Sequence, residues 1–197
     1  VLLAPRDGDD LAAMLRWAHA ERCRDAGRKA AYLIRYPREE VPVLPYTRTS
    51  IALGKAEVLQ SGRGLMVWGY GTGVRLGHAA LERLGEAGRG VTLVDARFAK
   101  PFDADLLAQL ATTHDRVLTI EDHALMGGFG AVVAEAIADR GLALRLERAG
   151  VADELVAHAS RAQQLAAQGL DAVGLERRLR GLLGLDAGKV IPFPAAR

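Results

Sequence analysis

At 197 residues, half of them hydrophobic, the chain is long enough to bury the core of one moderate domain, or of one domain and part of another. Its 26 basic and 24 acidic residues leave a net charge of only +2, and aromatics make up 5% of the chain with no basic block among them, which argues against nucleic acid as a partner. No apolar run approaches the roughly 20 residues that cross a bilayer, and the single cysteine, Cys23, fits a reducing cytoplasm. The expected setting is therefore cytoplasmic, with neither a membrane nor a nucleic acid as partner.

Val1-Leu2-Leu3-Ala4-Pro5 reads as a strand entering a turn and lacks an initiator methionine, so the chain is expected to begin partway through a larger protein. Asp7 or Asp9 can cap a helix from about Asp10 to Arg24, with Leu11, Met14, Leu15 and Ala18 as its apolar stripe. Ala30 to Tyr36 reads as a strand stopped by Pro37. Three prolines between Pro37 and Ser50, with no hydrophobic period, predict a linker over 39–50.

The second unit opens with a short strand, Lys55 to Leu59, and a turn at 61–64. This strand is expected as an antiparallel edge. Leu65 to Trp68 is a buried strand, followed by the turn Gly69-Tyr70-Gly71-Thr72-Gly73 and a helix from Val74 to about Ala87. Val91 to Val94 is a further strand, and Asp103 an N-cap for a helix from Ala104 to Leu110. Arg116 to Ile120, a helix opened by Gly127-Gly128-Phe129-Gly130, and the strand Ala143 to Leu146 continue the alternation. Helices at 160–168 and 171–183, each ended by glycine, precede a proline-containing tail from Lys189. Strands alternating with helices of this length predict an α/β fold: a mostly parallel sheet flanked by helices, preceded by the end of a second α/β unit.

Chemistry-bearing residues fall in five groups. Asp95, Arg97 and Lys100 follow a strand in quick succession, at the edge where α/β folds meet ligands or partners. The glycine turn at 69–73 invites a nucleotide-binding reading, but Val74 stands where the fingerprint needs a third glycine, and tight strand-to-helix turns use glycine for their own sake. The turn at 127–130 follows Glu121 and Asp122, which would repel a phosphate, so close helix packing is the favoured reading. None of the five histidines has metal-ligand spacing, and His123 is expected as a polar contact at a sheet edge or interface. In Arg35-Tyr36-Pro37-Arg38 two guanidiniums sit at a strand end. They suit a phosphate or carboxylate, or equally an ion pair with Glu39, Glu40 or a neighbouring carboxylate.

Taken in order, Ile34-Arg35-Tyr36-Pro37-Arg38, Gly54-Lys55-Ala56-Glu57-Val58-Leu59, Asp95-Ala96-Arg97-Phe98-Ala99-Lys100-Pro101-Phe102-Asp103 and Thr119-Ile120-Glu121-Asp122-His123 with Gly127-Gly128-Phe129-Gly130 resemble the 1-deoxy-D-xylulose-5-phosphate synthase family. The glycine turns alone also suit transketolases and 2-oxo-acid dehydrogenases. The resemblance implies a transketolase-type transferase that uses thiamine diphosphate and Mg2+ to condense pyruvate with D-glyceraldehyde 3-phosphate, releasing CO2, on the way to isoprenoid precursors, thiamine and pyridoxal. It further implies that 1–38 end a pyrimidine-binding domain and 51–197 form a transketolase C-terminal domain. The family's GDG…N segment and cofactor-activating glutamate have no counterpart here, so no catalytic, cofactor or metal residue is expected in this chain.

The expected partners are the rest of the same enzyme and the second subunit of a homodimer. By resemblance Arg35, and after it Arg38, would bind the substrate phosphate. Glu39 stands where the family usually has glycine and is expected beside Arg38. Asp95, Arg97, Lys100, Glu121 and His123 would make interdomain or dimer contacts. A free-standing α/β module for a nucleotide or phosphorylated ligand is the alternative.

Overall fold

The computed structural model describes residues 1–24, 31–40 and 43–186. Strand β1 (Leu2–Leu3) leads through helix α1 (Gly8–Arg24) to β2 (Leu33–Ile34), which lies parallel to β1. Only two residues of the AAYLIRY run pair as strand. Asp7 caps α1, its Oδ1 accepting from the Asp10 amide at 2.8 Å. The helix buries Asp10, Met14 and Ala18, while Leu15 of the expected stripe is exposed. That roll lets Met14 join Leu3 and Phe98 in a small core, and turns Asp10 toward buried arginines.

The third strand of this sheet comes from much further along the chain. Strand β6 (Phe98–Lys100) runs antiparallel to β1 and completes the order β2-β1-β6. Ala4 N donates to Arg97 O at 2.9 Å, and Trp17 of α1 meets Phe98 edge-on with centroids 5.5 Å apart. Of the charges that follow Val94, Lys100 ends β6 and Arg97 immediately precedes it, so this segment ties the chain's start to its middle.

The larger sheet contains β3 (Glu57–Gln60), β4 (Gly64–Gly69), β5 (Thr92–Asp95), β7 (His114–Ala124) and β8 (Arg145–Val151), in the order β3-β5-β4-β7-β8. Strands β4, β5, β7 and β8 are parallel, and β3 is an antiparallel edge. The partner of β3 is β5 rather than β4, the strand that follows it. Gln60 Nε2 donates to Gly88 O and Val91 O at 2.8 and 2.7 Å, and Gly62 N to Thr92 Oγ1 at 2.8 Å. These bonds draw the turn across the start of β5, and β4 emerges on its other side.

Along β4, Leu65 and Val67 face one core with α2 (Thr72–Arg83) and α7 (Ala172–Leu183). Met66 and Trp68 face another with α4 (Ala104–Ala111) and α5 (Phe129–Asp139). A period of two with both faces buried is what a central parallel strand requires. The helix expected to run to Ala87 breaks at Gly85, whose φ of +57° is left-handed, and resumes as α3 (Glu86–Arg89). Asp103 caps α4 through the Leu106 amide at 3.2 Å. Ser160 forms a capping box with Gln163 at the head of α6 (Arg161–Ala167), and Asp171 caps α7. The tail from Lys189 lies outside the described residues.

Residues 43–50, within the expected linker, carry no regular secondary structure but are well anchored. Leu44 is buried, Tyr46 Oη lies 2.8 Å from His78 Nδ1, and Arg48 and Thr49 reach the charges described next.

Candidate functional site: a buried charge network and an open cleft

Arg6, just ahead of α1, inserts between the ends of β3 and β5. Its Nη1 donates to Asp95 Oδ2 at 3.0 Å and to Glu57 Oε2. Arg97 Nη2 donates to the same Glu57 oxygen at 2.5 Å, and its Nη1 to Thr49 Oγ1 at 3.1 Å. Thr49 N donates in turn to Glu57 Oε1 at 2.8 Å. Asp10 accepts from Arg6 N at 3.3 Å, and Asp7 Oδ1 from Arg48 Nη2 at 2.9 Å. Arg6, Asp7, Asp10, Glu57, Asp95 and Arg97 are all buried. Asp95 and Arg97 therefore do not stand out from the strand edge as their sequence suggested, because Arg6 and Glu57 arrive to neutralise them.

Arg97 adopts φ +54°, a left-handed conformation costing on the order of 1–3 kcal/mol for a residue with a Cβ. Asp95 Oδ1 holds it there by accepting from Arg97 N at 3.0 Å. Four carboxylates (Asp7, Asp10, Glu57, Asp95) face three guanidiniums (Arg6, Arg48, Arg97), so one acid is in excess. Burial, then the Asp10 charge, push Asp95 up to about 7 against the pull of Arg6 and Arg97. Burial also raises Asp10. It opposes the charge on Glu57 too, but hydrogen bonds from Arg6 and Thr49 win and hold Glu57 below its ordinary value. Burial likewise works against the Arg6 cation, yet Asp95, Glu57 and Asp10 outweigh it and raise Arg6 above the usual arginine range.

Lys100 stands apart from this network. It is exposed at the end of β6 and lines a cleft of about 690 Å³ that also takes in Arg35, Tyr70, Phe102 and His123. The cleft lies at the carboxyl ends of β4 and β7. Strand order reverses at β4, since the chain passes first to β5 on one side and later to β7 on the other. Ligands of open α/β sheets bind at such points.

Arg35, with its side chain 43% exposed, donates through Nη1 to Asp122 Oδ1 and through Nη2 to Asp122 O at 3.3 Å. Arg161 Nη2 takes the other Asp122 oxygen at 2.6 Å. Burial pushes the Asp122 carboxyl up, but Arg35 and Arg161 overcome it and hold it below the usual range. Glu39 pairs with Arg75 at 2.6 Å and Arg161 at 3.2 Å. It does not pair with Arg38, the expected partner, because α2 and α6 each bring a guanidinium to it. Arg38 is exposed and has no ion pair among the described residues.

Glu121 is fully buried and serves α5. Its Oε2 accepts from Phe129 N at 2.6 Å, and its Oε1 from Gly130 N at 2.9 Å. His123 Nε2 lies 2.7 Å from the same Oε2. The helix N-terminus at 127–130 thus already holds an anion, the chain's own carboxylate, and a Cβ at Gly128 would lie 2.2 Å from it. The turn at 69–73 is closed as well. A Cβ at Gly73 would lie 2.0 Å from Ile120 O, and the amides of Gly73 and Val74 bond within the turn. Both glycine turns serve close packing, and neither has the open cradle of a nucleotide site.

Arg6, Glu57, Tyr70 and Arg161 carry no local sequence pattern that marks them as functional. Glu57 lay within a quoted motif without a role, and an acid heading an otherwise apolar strand was its only signal. Among the described residues no group of three or more His, Cys, Asp or Glu side chains could hold a metal ion. No described helix is long and apolar enough to cross a membrane.

Residues 54–175 match the family model for the transketolase C-terminal domain, more than half of the chain, and the chain belongs to that family. It is similar to 1-deoxy-D-xylulose-5-phosphate synthases: 39% identical to that of Synechococcus sp. (strain JA-2-3B'a(2-13)) over 91% of this chain, and 37% identical to that of Gloeobacter violaceus over 94%. The chain spans 27% and 29% of the length of these two relatives. In fold it is similar to a solved split-gene transketolase described as an inactive beta4 tetramer, with a TM-score of 0.79 and 23% identity, covering 93% of this chain and 58% of that one.

Proposed function

We propose that this chain is the C-terminal part of a 1-deoxy-D-xylulose-5-phosphate synthase, joining pyruvate to D-glyceraldehyde 3-phosphate with release of CO2. In this reading residues 1–38 end the pyrimidine-binding domain, 39–50 link, and 51–197 form the C-terminal domain. The enzyme works as a cytoplasmic homodimer. Thiamine diphosphate supplies the nucleophilic carbon and, with Mg2+, is bound by the N-terminal portion. The residues of this chain hold and orient the phosphorylated substrate.

The carrying observation is Arg35 at the mouth of the 690 Å³ cleft, turned by Asp122 and still partly open to solvent. A guanidinium held on one side by a carboxylate loses little further freedom on meeting a phosphate, and its remaining N–H groups suit one. Arg38, three residues on, is exposed and without an ion pair among the described residues, so its charge is available to the same ligand. The buried Asp95 and Arg97 fix the two parts of the chain relative to each other. Lys100 and His123 face the cleft, where a neighbouring domain or subunit meets it.

The direct test is an assay of the full-length protein with pyruvate and D-glyceraldehyde 3-phosphate. Equal amounts of CO2 and 1-deoxy-D-xylulose 5-phosphate are expected, and none from the 197-residue chain alone. A full-length protein that forms neither product would overturn the reading.

A further inference from the structure

The cleft contains polar groups that the fold does not use. The Tyr70 hydroxyl has no hydrogen-bond partner among the described residues, although its ring is fixed by stacking on Phe129, with centroids 5.1 Å apart and planes at 13°. Burial pushes that phenol up to about 12 against the pull of Arg35, so it remains a neutral O–H donor. Lys100 is likewise without a partner among the described residues. His123 is oriented by buried Glu121, which already accepts two amide hydrogens and so takes the Nε2 proton as well. Its Nδ1 is buried and unpaired. Arg35 and Lys100 bring charge, Tyr70 a donor, and His123 Nδ1 an acceptor. Glu135 is the one carboxylate among the cleft-lining residues.

Unpaired buried polar atoms are costly, and a ligand that pairs them recovers that cost. Three donors beside one acceptor suit a phosphate ester with a neighbouring hydroxyl better than a bare anion, because an anion has no hydrogen for Nδ1. We propose that Tyr70 and His123 are specificity-determining residues. Tyr70 donates to the ligand phosphate beside Arg35 and Lys100, and His123, positioned by Glu121, accepts from the hydroxyl next to the phosphate-bearing carbon. This deepens the synthase reading and rests on it. Glu121 acts only through His123 and α5.

The test compares three aldehydes with the full-length enzyme: D-glyceraldehyde 3-phosphate, D-glyceraldehyde without phosphate, and 3-oxopropyl phosphate without the hydroxyl. Tyr70→Phe removes one oxygen that the protein does not bond, so the fold is retained. It should lower the preference for the phosphate ester over D-glyceraldehyde about tenfold, through KM rather than kcat. His123→Ala should abolish the preference for D-glyceraldehyde 3-phosphate over 3-oxopropyl phosphate. His123→Asn, which returns an acceptor near the Nδ1 position, should restore most of it. If Tyr70→Phe and His123→Ala leave all three aldehydes in their original ratios while Arg35→Ala still raises KM for the phosphate esters, this inference falls and the synthase reading stands. If Arg35→Ala also changes nothing, the role of this chain in holding the substrate phosphate falls with it, while the synthase reading is decided by whether the full-length protein forms CO2 and 1-deoxy-D-xylulose 5-phosphate.

Discussion

Arg6 and Asp95 lie 89 residues apart in sequence and 3.0 Å apart in the fold, both side chains sealed from solvent. The pair joins the segment before α1 to the end of β5, alongside the strand pairing of β1 with β6. Buried ion pairs of this kind fix an arrangement more than they add stability, but breaking one is expensive. Arg6→Ala would take from Asp95 its nearest guanidinium and leave Glu57 with Arg97 and the Thr49 amide. A loss of about 3–5 kcal/mol is expected in denaturant unfolding. Asp95→Asn in the same chain should recover part of that loss, since it removes the stranded charge.

The charge excess in the network makes the stability of the fold depend on pH. Asp95 titrates near 7 in the fold, well above an ordinary aspartate, so between about pH 4 and 7 the native state binds more protons than the unfolded one. Stability from this group is present below that window and falls as pH rises through it, by at most roughly 1.4 kcal/mol per unit. Glu57 and Asp122, both held low, act in the opposite sense, and their contribution is lost as pH falls through their lowered values. The melting temperature should therefore peak in mildly acid solution, and Asp95→Asn should flatten its decline toward pH 8.

Arg97 is buried and bonded within the fold. Its guanidinium is committed to Glu57 and to Thr49 and Ser50. Arg97→Ala should lower the melting temperature and loosen assembly while KM for both substrates stays within about twofold. Size-exclusion chromatography and steady-state kinetics on one preparation check this. A raised KM with assembly intact would remove Arg97 from that role.

Two glycines give a sharp contrast. Gly73→Ala would press a methyl against Ile120 O, where an ideal Cβ lies 2.0 Å away, and should destabilise by several kcal/mol or prevent folding. Gly181, inside α7, has nothing within 4 Å of its Cβ position and an ordinary φ, so Gly181→Ala should be neutral or stabilising by up to about 1 kcal/mol. Thermal melts of the two variants side by side decide this.

Helices α4, α6 and α7 were legible because Asp103, Ser160 and Asp171 are local signals: each caps within three residues of itself. The parallel core was legible from β-branched and apolar runs. Strand β6 was not, since three residues ending in Lys100 have no pattern and become a strand only by pairing with β1. Nor was the anchoring of residues 43–50, which rests on single side chains meeting partners far away in sequence. The site divided in the same way. Arg35 was visible because two arginines flank a proline. The cleft was not, because Tyr70 and His123 meet only once β4 and β7 are neighbours.

The most direct test of the proposed function is the Arg35→Ala variant of the full-length protein, measured with pyruvate and with D-glyceraldehyde 3-phosphate. Losing a guanidinium from a phosphate should raise KM for D-glyceraldehyde 3-phosphate at least about tenfold and leave KM for pyruvate close to wild type. An equal rise for both substrates, or no change in either, would contradict it.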